Sequence, residues 1–149
     1  MFKHILVPTD GSNLSTKGVR QAITLAKPLR AKITGVYVAS PFVPPIYSEA
    51  AAFYSGPFSP REYRKITEKI AKKYLSVIER AAREAGVPCR TLLTTDPQPW
   101  QGILRTARKR KCDAIVMASH GRGAMGGLIL GSETTRVLSH SKIPVLVAR

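Results

Sequence analysis

Two short stretches of this chain combine residue types and spacings that could hold an anion. One runs Met117-Ala118-Ser119-His120-Gly121-Arg122-Gly123 and continues through Gly126 and Gly127 to Gly131-Ser132. Glycines let backbone N–H groups approach an anion with no Cβ in the way. Gly131-Ser132 leads into a segment that reads as a helix. The first N–H groups of a helix lack intrahelical partners, and its dipole favours negative charge there. Ser132 adds a hydroxyl and Arg122 a fixed positive charge. The chemistry these residues suit is phosphate binding. The same glycines also suit a plain flexible loop with Ser132 as a cap, and glycine spacing alone does not separate the two readings. The second stretch is Pro8-Thr9-Asp10-Gly11-Ser12, a turn that follows an apolar run.

Other chemistry is less well supported. His120 has no nucleophile with an orienting carboxylate beside it in the sequence, so it reads as positioning the loop rather than as a base. His4 and His140 belong to no constellation. There is no GxxxxGK[ST] segment and hence no P-loop lysine to organise phosphoryl transfer. Hydrolysis is expected to be slow at most, and the chain does not read as an enzyme. Cys89 and Cys112 form no CxxC pair and no Cys/His cluster of metal-ligand spacing. They read as small buried hydrophobes in a reducing compartment, with a redox pair as the lesser alternative.

The elements that must position these stretches alternate regularly. Residues 3 to 8 read as a buried strand. Ser12 or Asn13 then caps a helix that places Leu14, Ala22, Ile23 and Ala26 on one face, with Pro28 near its end. Residues 32 to 39 form a second strand, rich in β-branched and aromatic residues. Ser59-Pro60-Arg61-Glu62 is a capping box with proline at the first helical position. The helix it opens repeats Tyr63, Ile66, Ile70, Tyr74, Val77, Ala81 and Ala85 at three- and four-residue steps until Gly86. A third strand spans about 88 to 94. Asp96-Pro97 opens a third helix with Trp100, Ile103, Leu104 and Ala107 inward. Residues 113 to 118 are a fourth, fully buried strand, Ser132 begins a short helix to about Ser139, and residues 143 to 148 are a fifth strand. Strand and helix alternation over one domain, residues 1 to 149, implies an α/β fold: a parallel sheet covered by helices on both faces. Ligands of such sheets bind beyond the carboxyl ends of the strands, where the strand order reverses.

Residues 40 to 60 differ in kind. Five prolines interrupt a stretch that also carries Phe42, Tyr47, Phe53, Tyr54 and Phe58. A lid on the domain's own core and a ligand gate or partner surface fit it equally.

The 149 residues suffice for one sizeable core. No segment approaches the ~18 consecutive apolar residues of a membrane span, and the N-terminal apolar run is too short for a signal peptide. A cytoplasmic protein is expected. Lys and Arg number 24 against 9 Asp and Glu, a formal net charge of +15. That charge attracts nucleic acid and nucleotide phosphates alike. The densest basic run, Arg105 to Lys111, falls at a helix C-terminus, at the end of the sheet opposite the glycine loop. It reads first as a solvated face and second as a nucleic-acid contact.

Across nearly its whole length the chain resembles the universal stress protein family. The opening Ile5-Leu6-Val7-Pro8-Thr9-Asp10-Gly11-Ser12 and the closing Ile143-Pro144-Val145-Leu146-Val147 are similar to that family's first and last strands. The family's nucleotide motif is Gly, two residues, Gly, nine residues, Gly, then Ser or Thr. Here the same spacing runs from Ala118 through Gly121 to Gly131-Ser132, with Ala118 in place of the first glycine. The resemblance implies an open five-stranded parallel sheet, Rossmann-like, of the ATP-binding branch, with ATP, ADP or AMP as ligand. It implies that Pro8, Thr9, Asp10 and Val38 border adenine and ribose, with Met117 beneath the base. Ala118, Gly121, Arg122, Gly131, Ser132, Glu133 and Thr134 would surround the phosphates, largely through backbone groups. Asp10 would reach a phosphate-bound Mg²⁺. At Glu133, the first turn of a helix, a carboxylate also simply suits the dipole.

Three functions follow as expectations. The first is a regulatory module whose nucleotide orders the glycine loop and residues 40 to 60, a state read by a protein partner. The second is a basic nucleic-acid-binding protein, and the third a slow nucleotide hydrolase. A homodimer through the last strand is also expected. The implied architecture puts that strand at a sheet edge, and residues 145 to 148 carry no charge, proline or bulge to guard it.

Overall fold

The computed structural model describes residues 1–44, 56, 59–120 and 130–149. The elements are β1 (His4–Pro8), α1 (Asn13–Leu29), β2 (Lys32–Ala39), α2 (Pro60–Ala85), β3 (Cys89–Thr95), α3 (Pro99–Arg110), β4 (Ala114–Ala118), α4 (Ser132–His140) and β5 (Val145–Ala148). The strands form one parallel sheet in the order β3-β2-β1-β4-β5. From β1 the chain therefore works outward through β2 to β3, then crosses back to place β4 and β5 on the other side of β1.

Alternation along each strand sends side chains to two separate cores. Ile5, Val7 and Ile33 pack with Val19, Ala22 and Ile78 under α1 and α2. Leu6, Val36, Ile115 and Met117 pack with Ile103, Ala107 and Val137 under α3 and α4. Helices thus cover both faces, and the inner strands have no polar face because each is buried twice. Cys89 belongs to the margin of the first core and Cys112 to the second, so the sheet stands between them. Burial raises each thiol to about 11. Both stay protonated at neutral pH and poorly nucleophilic, which removes the redox alternative.

Helix ends follow the local chemistry. The Ser12 side chain accepts from Ser15 N at the start of α1, and the Ser59–Glu62 capping box is complete at α2. Two expectations shift. The buried stripe of α2 is Ala71, Leu75, Ile78 and Ala82, so Ile70, Tyr74, Val77 and Ala81 form its shoulder and Ile66 is exposed. The apolar arc is wide, and the position of the sheet decides which residues lie at its centre. Helix α3 begins at Pro99 rather than at Asp96-Pro97. The Asp96 carboxylate accepts from Gln98 N and pairs with Arg105, so it closes the turn before the helix. Of the 40–60 stretch, residues 45–55, 57 and 58 lie outside the described residues. Its entry is held on α2, where the Tyr63 hydroxyl donates to Ser40 O and Phe42 lies against the Tyr63 ring.

At the amino-terminal end of the sheet, His4 is buried and its Nε2 lies 2.7 Å from Thr34 Oγ1. Burial lowers its pKa below 6.5 and the Lys32 charge adds to this, while Asp113 and hydrogen bonding to the Arg110 and Lys111 backbone oppose it. The folded state therefore takes up this proton less readily than the unfolded chain. The His4 contribution to stability is complete above the unfolded value and is lost as pH falls through the lower folded one. Between about pH 7.5 and pH 5, the thermal midpoint of the wild type is expected to fall more steeply than that of His4→Gln. Parallel curves would contradict the burial effect.

Candidate functional site

The sheet opens at the reversal of strand order. The β1–β4 ladder pairs Ile5 with Ala114 and Leu6 with Ile115, although β1 runs on to Pro8 and β4 to Ala118. Past that point Thr9 N donates to Val36 O on the β2 side, while Ser119 N donates to Ala148 O on the β5 side. The two central strands hand their hydrogen bonds to opposite neighbours, which makes a crevice at their carboxyl ends.

One wall of the crevice is the turn after β1. Thr9 Oγ1 accepts from Gly11 N at 3.1 Å and lies 3.1 Å from Ser15 Oγ, and Asp10 Oδ1 accepts from Ser12 N at 3.0 Å. The turn requires glycine at position 11. Its φ is +77°, and an added Cβ would stand 2.2 Å from the Tyr74 ring, which packs edge-on against Tyr37. Gly11→Ala is expected to cost about 2 kcal/mol of stability, from the left-handed backbone and the overlap together. Denaturant unfolding reads this directly, and an unchanged midpoint would show that the turn relaxes freely.

The opposite wall is the start of α4. Its N-cap is Gly131, which has no side chain to supply a capping oxygen. Gly131 is held in place by its own backbone: its N–H donates to Ser119 O at 2.8 Å and its carbonyl accepts from Thr135 N at 2.9 Å. The other three helices each have a side-chain acceptor in the first turn, namely Ser12 at α1, Ser59 at α2 and the Glu133 carboxylate on Trp100 N at α3. Among the described residues, α4 alone has none. The N–H groups of Ser132, Glu133 and Thr134 face the demand that every helix start makes.

The residues singled out in the sequence are placed as follows. Pro8, Thr9 and Asp10 end β1 and enter its turn. Val38 lies near the end of β2 and packs on the α3–α4 core, as does Met117 near the end of β4. Ala118 closes β4 in a strand conformation, and among the described residues the only non-glycine positive φ values are at Arg30 and Lys111. The Ala118 methyl therefore meets no left-handed strain. Gly131, Ser132, Glu133 and Thr134 form the α4 start, while Gly121 and Arg122 lie outside the described residues. Ser119 Oγ and His120 Nδ1 are 2.9 Å apart. His140 lies against Trp100 with centroids 4.6 Å apart and the rings tilted by 36°.

Three features went unread in the sequence. The Glu133 carboxylate is held by protein groups: it accepts from Trp100 N at 2.8 Å and lies 3.6 Å from Arg136 Nη1. Its backbone N–H lies in the first turn of α4 beside those of Ser132 and Thr134. The buried Thr134 hydroxyl donates to Ala118 O at 3.0 Å and ties α4 to the end of β4. Gly18 lets α1 approach the same strand end, since a Cβ there would stand 3.2 Å from Ala118 N. The one available signal was Gly18 itself, a glycine inside a helical pattern. Among the described residues, no group of three His, Cys, Asp or Glu side chains could hold a metal ion, and no helix is long and apolar enough to cross a membrane.

Comparison with known proteins places this geometry. A family model described as the universal stress protein family matches residues 1–149. A universal stress protein of Thermus aquaticus is 32% identical over 149 residues, covering 100% of both chains. One of Methanocaldococcus jannaschii is 30% identical over 154 residues, covering 100% of this chain and 83% of its own. Among solved structures, a second Methanocaldococcus jannaschii protein, also named a universal stress protein, superposes with a TM-score of 0.79 at 23% identity, covering 99% and 96% of the two chains. A universal stress protein in complex with cAMP gives 0.67 at 21% identity, covering 99% and 97%. One from Archaeoglobus fulgidus in complex with dAMP gives 0.58 at 18% identity, covering 99% and 98%. These superpositions establish the shared five-stranded fold.

Proposed function

The chain belongs to the universal stress protein family, and from that premise we propose that it is a nucleotide-binding regulatory protein, taking ATP, ADP or AMP in the crevice between β1 and β4. The observation that carries this reading is the start of α4, which among the described residues has no side-chain cap and stands where β1 and β4 diverge. The cAMP and dAMP complexes of related proteins support it. The backbone N–H groups of Ser132, Glu133 and Thr134 would take the phosphates, with Ala118, Gly121, Arg122 and Gly131 around them. Pro8, Thr9, Val38 and Met117 would border the nucleoside. A Mg²⁺ ion held chiefly by phosphate oxygens and water needs one protein carboxylate. Asp10, in the turn after β1, would supply it.

In this reading the nucleotide is a bound signal in a stress response. It orders the glycine loop and residues 40 to 60 for a protein partner in the cytoplasm, and the protein acts as a homodimer through β5. Mass spectrometry of small molecules released from the purified, denatured protein is expected to show an adenine nucleotide. Calorimetry with ATP and Mg²⁺ is expected to show saturable binding. Absence of heat and of thermal stabilisation with ATP, ADP and AMP alike would overturn the proposal.

A further inference from the structure

The end of the sheet opposite the crevice carries a second anion-binding opportunity. Parallel strands joined by helices bring every strand start and every helix end to one side of the molecule. Lys3 and Lys32 therefore lie there with Arg30 at the end of α1 and Arg108 to Lys111 at the end of α3. Between the starts of β2 and β3 and the end of α3 is an open cavity of about 620 Å³, lined among others by Lys32, Arg90, Arg110, His4 and Thr34. His4 and Thr34 are buried and satisfied by each other, whereas Lys32, Arg90 and Arg110 are exposed.

The acidic groups beside this cavity are hydrogen-bonded within the protein and keep their negative charge, but the cations outnumber them. Asp113 accepts from Lys3 N at 2.8 Å and His4 N at 3.0 Å through its two oxygens, and Glu79 accepts from the Thr91 hydroxyl. Among the described residues the ion pairs are Arg105–Asp96 and Arg136–Glu133. Arg105 is thus withdrawn from the basic run, while Lys32, Arg90, Arg110 and their neighbours keep their charge for solvent or for a ligand. Helix dipoles favour single cations at helix ends. They do not account for Lys32 and Arg90, which stand on strands around the same cavity.

The geometry points to a nucleic-acid single strand as the occupant, gripped through its phosphodiester backbone. The cavity is too small to admit a duplex but large enough for part of a single strand, and exposed cations at Arg108, Lys109 and Lys111 stand at the same end of the molecule. Repeated cations match a repeated anion, and a flat bilayer could not enter the concavity. Among the described residues no Phe, Tyr or Trp lines the cavity, and the His4 ring is buried against Thr34, so the strand is held by its phosphates without regard to sequence.

The test uses the full-length protein and fluorescent single-stranded RNA and DNA of one sequence, on the order of 20 nucleotides, between about 50 and 200 mM salt. Binding is expected to weaken steeply with salt. The triple variant Lys32→Gln, Arg90→Gln, Arg110→Gln is expected to bind at least ~10-fold more weakly at low salt, with the log–log salt slope reduced by about 2. A control that removes equal charge from the outer face of α2, Lys65→Gln, Lys69→Gln, Lys72→Gln, is expected to lose less than ~3-fold. All six side chains are exposed, and unchanged thermal midpoints would show that both variants fold. Equal losses in the two variants would reduce the effect to net charge and overturn the assignment. So would no binding by the wild type, or tighter binding to vesicles of anionic lipid than to either strand. RNA and DNA are expected to bind alike, and a preference above ~10-fold for either would contradict backbone-only recognition.

Discussion

Replacing Gly131 by aspartate is expected to abolish nucleotide binding while leaving the domain as stable as before, or slightly more so. The two effects have one cause. Gly131 is the N-cap of α4 in an extended conformation (φ −61°, ψ 151°) that any residue adopts. Its backbone is already fixed to Ser119 and Thr135. An aspartate there brings a carboxylate oxygen to the N–H groups of the first turn. Capping of this kind is worth a few tenths of a kcal/mol over glycine, and the added charge suits the dipole. The same oxygen occupies the donors that phosphate needs and repels it. Affinity for ATP is expected to fall by at least ~100-fold, equivalent to about 2.7 kcal/mol. Gly131→Val should lose binding to a similar degree by bulk alone, but at about 1 kcal/mol of stability, since valine caps poorly. Calorimetry with ATP and Mg²⁺, paired with denaturant unfolding in its absence, separates binding from folding. A Gly131→Asp protein that still binds ATP normally would place the nucleotide away from α4.

Loss of the proposed dimer is the second large expected effect. Strand β5 pairs with β4 on one side and is the last strand of the sheet. The carbonyls of Pro144 and Ala148 accept from Ile115 N and Ser119 N, so in a parallel ladder the peptide groups of Val145 and Val147 point to the open edge. Leu146 is 46% exposed. Among the described residues nothing pairs with this edge, and in the proposed dimer it pairs antiparallel with its own copy about a two-fold axis and covers Leu146. Val147→Pro removes one outward N–H without touching the β4 ladder, and edge strands tolerate such a proline. Leu146→Lys puts a charge into the contact. Each is expected to convert a dimer to a monomer at micromolar concentration in sedimentation, with the fold intact by circular dichroism. A monomeric wild type would refute the interface, and a dimer indifferent to both substitutions would place it elsewhere.

The candidate site was legible in the sequence to the extent that its pieces are local. Gly131-Ser132 announces an N-terminus because capping depends on a few consecutive residues. Thr9-Asp10-Gly11-Ser12 announces a turn for the same reason, and Gly11 indeed takes a positive φ. Partners distant along the chain carry no such mark. Nothing around Glu133 indicates that its carboxylate caps α3 at Trp100, 33 residues away. Arg105 sits in a basic run and looks solvated, yet it pairs with Asp96. Both side chains found partners that exist only once α3 has docked beside α4 and β3.

The amino-acid sequence by itself determined the elements and their alternation: five strands, four capped or dipole-compatible helices and hence a parallel sheet covered twice. Those properties rest on period, burial and end chemistry, which act over a turn or a strand. Tertiary structure alone decided which strands are neighbours and where they part. The Thr9 amide donates to β2 and the Ser119 amide to β5, and that divergence makes the crevice. It likewise decided that Ala71, Leu75, Ile78 and Ala82 form the centre of the α2 stripe, and that Lys32, Arg90 and Arg110 surround one cavity. The physical reason is common to all three. Hydrophobic burial is non-directional, so a pattern specifies that a face is covered. Only the packed sheet specifies what covers it and which polar groups its open ends bring together.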